Sequence, residues 1–190
     1  MSNNSVTEIC RIARRLIRKY DTQNPEKLCE ELGIQLLYED MGTDQTSIKA
    51  MMVVHRRIKC IVVNCNLPDV ILCFILAHEL GHAALHTSHH QQFMDVGLFE
   101  DTSCLEKEAN LFAAELLLGD SEELMEEMTY SELSMFQLAA SHHVPYELLA
   151  YKLEIMGEEG YEVPELPYEP DSRFLTGMLG MDEDYSYWSD

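Results

Sequence analysis

The sequence predicts an α+β fold, mainly helical, with a small sheet of about three strands beside one central apolar helix. Three observations predict it. Apolar residues recur at helical spacing at both ends of residues 5–156. Two adjoining runs, IKAMMVVH and RIKCIVVN, have β character. The apolar run Val70 to Ala77 leads directly into a cluster of His and Glu. At 190 residues, 46% hydrophobic and 25% charged, the chain can build one globular domain with an appendage, and it is too apolar for a disordered acidic protein.

The elements follow in order. Ser5-Val-Thr-Glu8 has the spacing of a capping box, and Val6, Ile9, Ile12, Ala13, Leu16, Ile17 and Tyr20 continue it as a helix over about 5–20. Asn24-Pro25 opens a second helix that Gly33 closes. Ile34 to Tyr38 reads as a short strand, and the two β runs form a hairpin around His55-Arg56-Arg57. Asn64 to Pro68 is a turn before a largely apolar, buried helix from Asp69 to about Thr87. A further helix spans roughly 103–118 and stops at Gly119, and a short acidic one lies near 121–128. Residues 130–156 read as two small helices joined by a turn at His142 to Pro145. The expected domain is 1–157. Residues 158–190 hold ten acidic residues and one basic, Arg173, in a Pro-containing stretch expected to be a flexible tail.

The net charge is −21 and unevenly spread. Ten of the 13 Lys and Arg lie in residues 1–59, against eight acids there; the remaining residues hold three bases and 26 acids. Such a body repels phosphate backbones, so DNA binding is not expected. Arg11, Arg14, Arg15, Arg18 and Lys19 make the one basic face, read as the solvated side of the first helix. No apolar run approaches a membrane span, and the N-terminus lacks the apolar core of a signal peptide. The six cysteines form no CxxC; Cys10, Cys29 and Cys73 sit on apolar faces, as buried thiols of a reducing, cytoplasmic compartment would.

The chemistry is concentrated in Ala77-His78-Glu79-Leu80-Gly81-His82. Histidines four apart on a helix share a face and can reach one metal ion, while Glu79 can reach a water beside it and take its proton, the HExxH arrangement of zinc hydrolases. The apolar VILCFILA ahead of the motif carries these polar groups inward, where a divalent cation would satisfy all three. A third protein ligand is expected on the helix SCLEKEANLFAAELLL. At about 100° per residue, Glu108 points about 200° away from Glu106, so only one can face the metal. Leu105, Ala109, Phe112, Ala113 and Leu116 mark a buried stripe that Glu106 and Asn110 flank, whereas Glu108 falls with Leu111 and Glu115 towards solvent. Glu106 is therefore the first choice, with Asn110 orienting a ligand, and Glu108 is the alternative. Ser103-x-x-Glu106 also has capping-box spacing, which would give Glu106 a different task. His86 extends the face of His78 and His82 by a turn. It could polarise a substrate carbonyl, hold a bond to a ligand, or cap the helix. His89, His90, His142 and His143 read as loop and turn residues.

His78-Glu79-Leu80-Gly81-His82, then Leu85-His86, then Glu106-Lys-Glu-Ala-Asn110-Leu-Phe-Ala-Ala starting 24 residues past His82, resembles the ImmA/IrrE family of metallopeptidases. The likeness covers about residues 5–155 and takes in the segment IKCIVVNCNLPDVILCFILAHELGH. It implies a zincin-like fold with His78, His82 and Glu106 as Zn2+ ligands and Glu79 as catalytic base. It also implies cleavage of a helix-turn-helix repressor to derepress genes, often on a mobile element. One departure is Gly119-Asp120 after Leu116-Leu117-Leu118, where the family has a proline; glycine stops a helix equally well. The acidic tail has no counterpart in the family pattern.

Two classes of function remain in view. The first is a zinc endopeptidase acting on a protein, with an extended substrate pairing along Arg57 to Asn64 if that strand is a sheet edge. The second is a regulatory module that binds protein or DNA and keeps a structural or vestigial zinc, supported by the helix-turn-helix-like spacing of Leu138, Val144 and Leu148 within 130–156. That segment carries one base, Lys152, and an intact Glu79 favours the enzyme. No residue names the substrate, its cleavage site or the residues that bind it.

Overall fold

The computed structural model describes residues 4–44, 47–56, 58–86 and 102–166. Among them, seven helices and three strands follow in the order α1 Val6–Tyr20, α2 Pro25–Glu31, β1 Gln35–Glu39, β2 Ala50–His55, β3 Ile58–Asn64, α3 Asp69–Leu85, α4 Thr102–Leu118, α5 Ser121–Tyr130, α6 Met135–Ser141 and α7 Tyr146–Glu158. This is the mainly helical α+β architecture that the hydrophobic periodicity predicts.

Local chemistry explains most boundaries. The Ser5 hydroxyl accepts from the Glu8 N–H at 3.2 Å, but the Glu8 carboxylate turns to Arg11 and does not return to Ser5. The full reciprocal box sits instead at α6, between Ser134 and Gln137. Asn24 caps α2 ahead of Pro25, and Asp120 caps α5; such caps contribute about 1 kcal/mol each. Gly119, at φ 63, takes the left-handed turn that ends α4.

The sheet order is β1-β3-β2, with β3 parallel to β1 and antiparallel to β2. The strand at 58–64 is therefore central and both its edges are taken, so it cannot receive an added strand. The edges belong to β1 and β2. On one face of β3, Ile61 and Val63 are fully buried against the helices. Asn64 closes the strand: its amide donates to the Gly42 and Ile48 carbonyls and accepts from the Met41 and Asn66 N–H groups, which fixes the turn into α3. Lys59 donates to the Ala83 carbonyl at 2.7 Å and ties β3 to the end of α3.

Helix α4 is the hub. It packs against α3, α1 and α7, so it is covered on several sides. Leu111, Glu108 and Glu115, placed towards solvent by a single-stripe reading, are all buried. Glu115 meets Lys152, whose ammonium donates to it at 2.8 Å and to the Gly119 carbonyl at 2.7 Å. Arg14 of α1 reaches inward to both Glu115 and Glu159, and Ser121 donates to Glu159 at 2.7 Å. Arg14 thus leaves the basic face predicted for α1. All six cysteines are free; Cys10 and Cys29 are buried, but Cys73 is exposed, contrary to its apolar-face reading. Beyond α7, Tyr161, Val163 and Leu166 lie partly buried against the core. No helix among the described residues is long and apolar enough to cross a membrane. His89, His90 and most of the acidic tail lie outside the described residues.

Candidate metal centre

The site is built where α3 crosses α4. The approach is close because residue 81 is glycine: a Cβ there would stand 3.1 Å from both the Cα and the carbonyl oxygen of Ala109. That contact lets short α4 side chains meet the imidazoles of α3.

His78 and His82 project from one face of α3 and are almost fully buried. Their Nε2 atoms lie 3.0 Å apart. The Glu106 carboxylate faces both, at 3.3 Å from His78 Nε2 and 3.5 Å from His82 Nε2. The three donor atoms fall within 4.8 Å of one another, the grouping a metal ion requires. Tetrahedral zinc with ligand distances near 2.1 Å has ligand–ligand edges of about 3.4 Å, and the three separations lie close to that. The donor set, two imidazoles and one carboxylate, is also that of catalytic zinc sites. Glu106 is the glutamate that faces His78 and His82.

The outer nitrogens are held as well. His78 Nδ1 donates to Asn110 Oδ1 at 2.8 Å, which fixes the ring with Nε2 towards Glu106. His82 Nδ1 lies 3.1 Å from His86 Nδ1, and His86 Nε2 lies 3.0 Å from Glu108 Oε2. His86 thus sits between a candidate ligand and a buried acid, at 2% exposure. Glu108 also accepts from the backbone N–H and the side-chain amide of Asn4, at 3.1 and 2.6 Å.

Among the described residues, no Lys or Arg pairs with Glu79, Glu106 or Glu108. The protonation pattern reflects this. Burial pushes Glu79 up to about 7, aided by the Glu106 charge and opposed by His78. Burial lowers His82 to about 4 despite its bond to Glu106. Burial also works against charging Glu106 and His78, but their mutual bond prevails, holding Glu106 below the usual carboxylate range and His78 above its usual value.

Sequence reasoning brings His78, His82, Glu106, Asn110 and His86 to one place, as the structure does. It misses the burial of Glu108 and its contact with Asn4. A signal was present: apart from Asn110 and Glu115, every position from Ala109 to Leu118 is apolar, Leu111 beside Glu108 and Glu115 among them, and such a stretch is covered on more than one side.

Comparison with known proteins agrees with this geometry. The peptidase family described as the IrrE N-terminal-like domain matches residues 29–154, which include every residue of the cluster except Asn4. "Uncharacterized immunity region protein 2" of Bacillus phage phi105 is 34% identical over 139 residues, covering 73% of this chain and 85% of that protein. "Metallopeptidase ImmA" of Bacillus subtilis (strain 168) is 31% identical over 150 residues, covering 75% of this chain and 82% of that protein.

Proposed function

The chain belongs to the peptidase family of the IrrE N-terminal-like domain, and from that premise we propose that it is a zinc-dependent endopeptidase that cleaves a helix-turn-helix repressor or a similar regulatory protein. The observation that carries this reading is the convergence of His78, His82 and Glu106 on one point, with Glu79 on the same turn of α3. The three donors would hold Zn2+, which supplies a Lewis acid for the scissile carbonyl and acidifies a water. Glu79 takes the proton from that water on its carboxylate and delivers it to the leaving amine. Glu79 follows His78 directly on α3, which puts its carboxylate within reach of a water at the metal and of the leaving amine. Asn110 and His86 hold the outer ring nitrogens of the two histidines, so the imidazoles do not swing during the reaction.

The peptidase domain is assigned to residues 1–157, and the start of the acidic stretch 158–190 belongs with it, since Glu159 pairs with Arg14 and accepts from Ser121, and Tyr161, Val163 and Leu166 pack on the core. The immunity-region name of the phage relative supports a regulatory substrate and a mobile-element setting. Free thiols support the cytoplasm. The alternative, a regulatory module that binds protein or DNA, is less well supported. Lys152, the lone base of the helix-turn-helix-like segment, is buried on Glu115 and so is not offered to a phosphate backbone. The direct experiment incubates the purified protein with the repressor encoded beside it, with zinc or with a chelator. Mass spectrometry should find two fragments with zinc only. Cleavage by Glu79→Gln at the wild-type rate would end the mechanism.

A further inference from the structure

We propose that Glu108, acting through His86, positions His82 as a metal ligand by fixing which of its ring nitrogens carries the hydrogen. The inference rests on the zinc reading of His78, His82 and Glu106 and extends it to residues outside the donor set.

An imidazole binds a metal through a nitrogen that carries no hydrogen, so its tautomer decides whether the ligand exists. His82 Nε2 faces His78 Nε2 and Glu106 and is the donor atom. The hydrogen must then sit on Nδ1, which has His86 Nδ1 at 3.1 Å. For His86 to accept there, its own hydrogen must sit on Nε2, which has Glu108 Oε2 at 3.0 Å. With His82 Nε2 free of hydrogen, each link has one donor and one acceptor when Glu108 accepts.

Four donors converge on Glu108, the weakest of them the Cys104 thiol at 3.8 Å from Oε1. The Asn4 N–H reaches Oε1, the Asn4 side-chain amide reaches Oε2, and His86 Nε2 reaches Oε2. With both oxygens accepting, the chain runs one way, from His82 to His86 to Glu108. His78 is oriented by a different device, a single bond to Asn110. The two ligands are thus set independently, one by an amide on α4 and the other by a relay from the end of α3 to α4. Glu108 and His86 are positioning residues. They face away from the point where the donors meet, and neither is a zinc donor.

The test measures Zn2+ affinity of the full chain by competition with a chromophoric chelator, and records the visible absorption of the Co2+-loaded protein. Glu108→Gln retains an oxygen acceptor for His86, and the partly buried Asn4 can turn to water, so affinity should stay within about threefold and the Co2+ spectrum should not change. Glu108→Ala and His86→Phe should each weaken zinc by about 10- to 100-fold and shift the Co2+ bands. The double variant should be no weaker than the worse single one, because both cut the same chain. A purely structural Glu108 would lower thermal stability and leave the Co2+ bands in place. If Glu108→Ala fails to fold, His86→Phe, which keeps the ring volume, gives the result. Wild-type affinity and spectrum in His86→Phe overturn the proposal. So does loss of zinc in Glu108→Gln as complete as in His78→Ala, which would make Glu108 a ligand. Failure of the wild-type chain to bind one Zn2+ overturns the parent reading together with this one, and is told apart from the other outcomes by the wild-type titration alone.

Discussion

Helix α4 buries acids at both ends, and the two ends are satisfied by different means. Near its C-terminus, Glu115 meets Lys152 and Arg14, and Glu159 shares Arg14 with Glu115 and accepts from Ser121, so two carboxylates have two cations from the chain itself. Near its N-terminus, Glu106 and Glu108 face three histidines, with Glu79 close by and no Lys or Arg paired to any of them among the described residues. Buried carboxylates without a cation raise the free energy of the fold unless a cation arrives or a proton binds. The upward shift of Glu79 to about 7 is the second outcome, in the metal-free protein. The first outcome is the proposed zinc. A closed cluster holds helices together; an open one, short of positive charge, is where a metal ion can do chemistry.

The largest expected effects separate the two ends. His78→Ala or His82→Ala should abolish binding of one zinc equivalent, and Glu106→Gln should weaken it strongly, while the metal-free fold melts near the wild-type temperature. Glu79→Gln should keep zinc and lose about 100-fold or more in turnover. Lys152→Ala should do the reverse. Breaking a buried pair costs about 3–5 kcal/mol because Glu115 is left without its main cation, so denaturant unfolding should shift far while the residual folded protein still binds zinc. Replacing both partners, Glu115→Leu with Lys152→Met, should recover most of that loss. A benign Lys152→Ala would mean that the C-terminal cluster is not closed, and the contrast between the ends would fail.

A smaller effect tests the open end alone. The Glu79 carboxyl lies at about 7 in the fold against 4.5 for the free group. Between those values the folded protein holds more protons than the unfolded chain, so this group's contribution to stability falls as pH rises from 4.5 to 7. Metal-free wild type should therefore lose about 1–3 kcal/mol more than metal-free Glu79→Gln over that interval, measured by urea unfolding at each pH. His78 is raised and His82 lowered from the ordinary imidazole value, and the Glu79 charge contributes to the His78 shift, so the difference in slope reports Glu79 together with its coupling to His78. Equal slopes in the two proteins would show that burial does not hold the proton on Glu79.

How much of this could be read in the sequence follows from what is local. The α3 motif was legible because an apolar run and a four-residue spacing lie within one helix. The choice of Glu106 over Glu108 was legible as a direction, since 200° of rotation separates them whatever surrounds the helix. The burial of Glu108 and Glu115 was not, because it depends on α1 and α7 covering a side of α4 that is far from both in sequence. The central place of β3 was hidden for the same reason: β1 joins it across the intervening β2, and strand order is a tertiary fact. The lone Lys152 among apolar residues was the one mark of the closed cluster left in the sequence.

The smallest expected change concerns the contact that places the open cluster. Gly81→Ala adds one methyl to a helix interior, which by propensity alone stabilises the fold by up to about 1 kcal/mol. The same methyl would meet Ala109 Cα and the Ala109 carbonyl at 3.1 Å, and Phe112 Cδ1 at 3.2 Å. Two of these neighbours are backbone and cannot rotate away, so α3 and α4 must separate by a few tenths of an ångström, at a cost of about 1–3 kcal/mol. The two terms oppose each other, and the net shift in melting temperature should be small. The metal affinity has no compensating term. Glu106 stands on α4 about one turn before Ala109 and Asn110 directly after it, while both histidines stand on α3, so any separation lengthens the 3.3 and 3.5 Å approaches together. Zinc should weaken several-fold in Gly81→Ala while Lys152 and Glu115, on the far side of α4, keep the fold intact. A variant that melts like wild type and binds zinc like wild type would show that the close approach at residue 81 sets neither the packing nor the site.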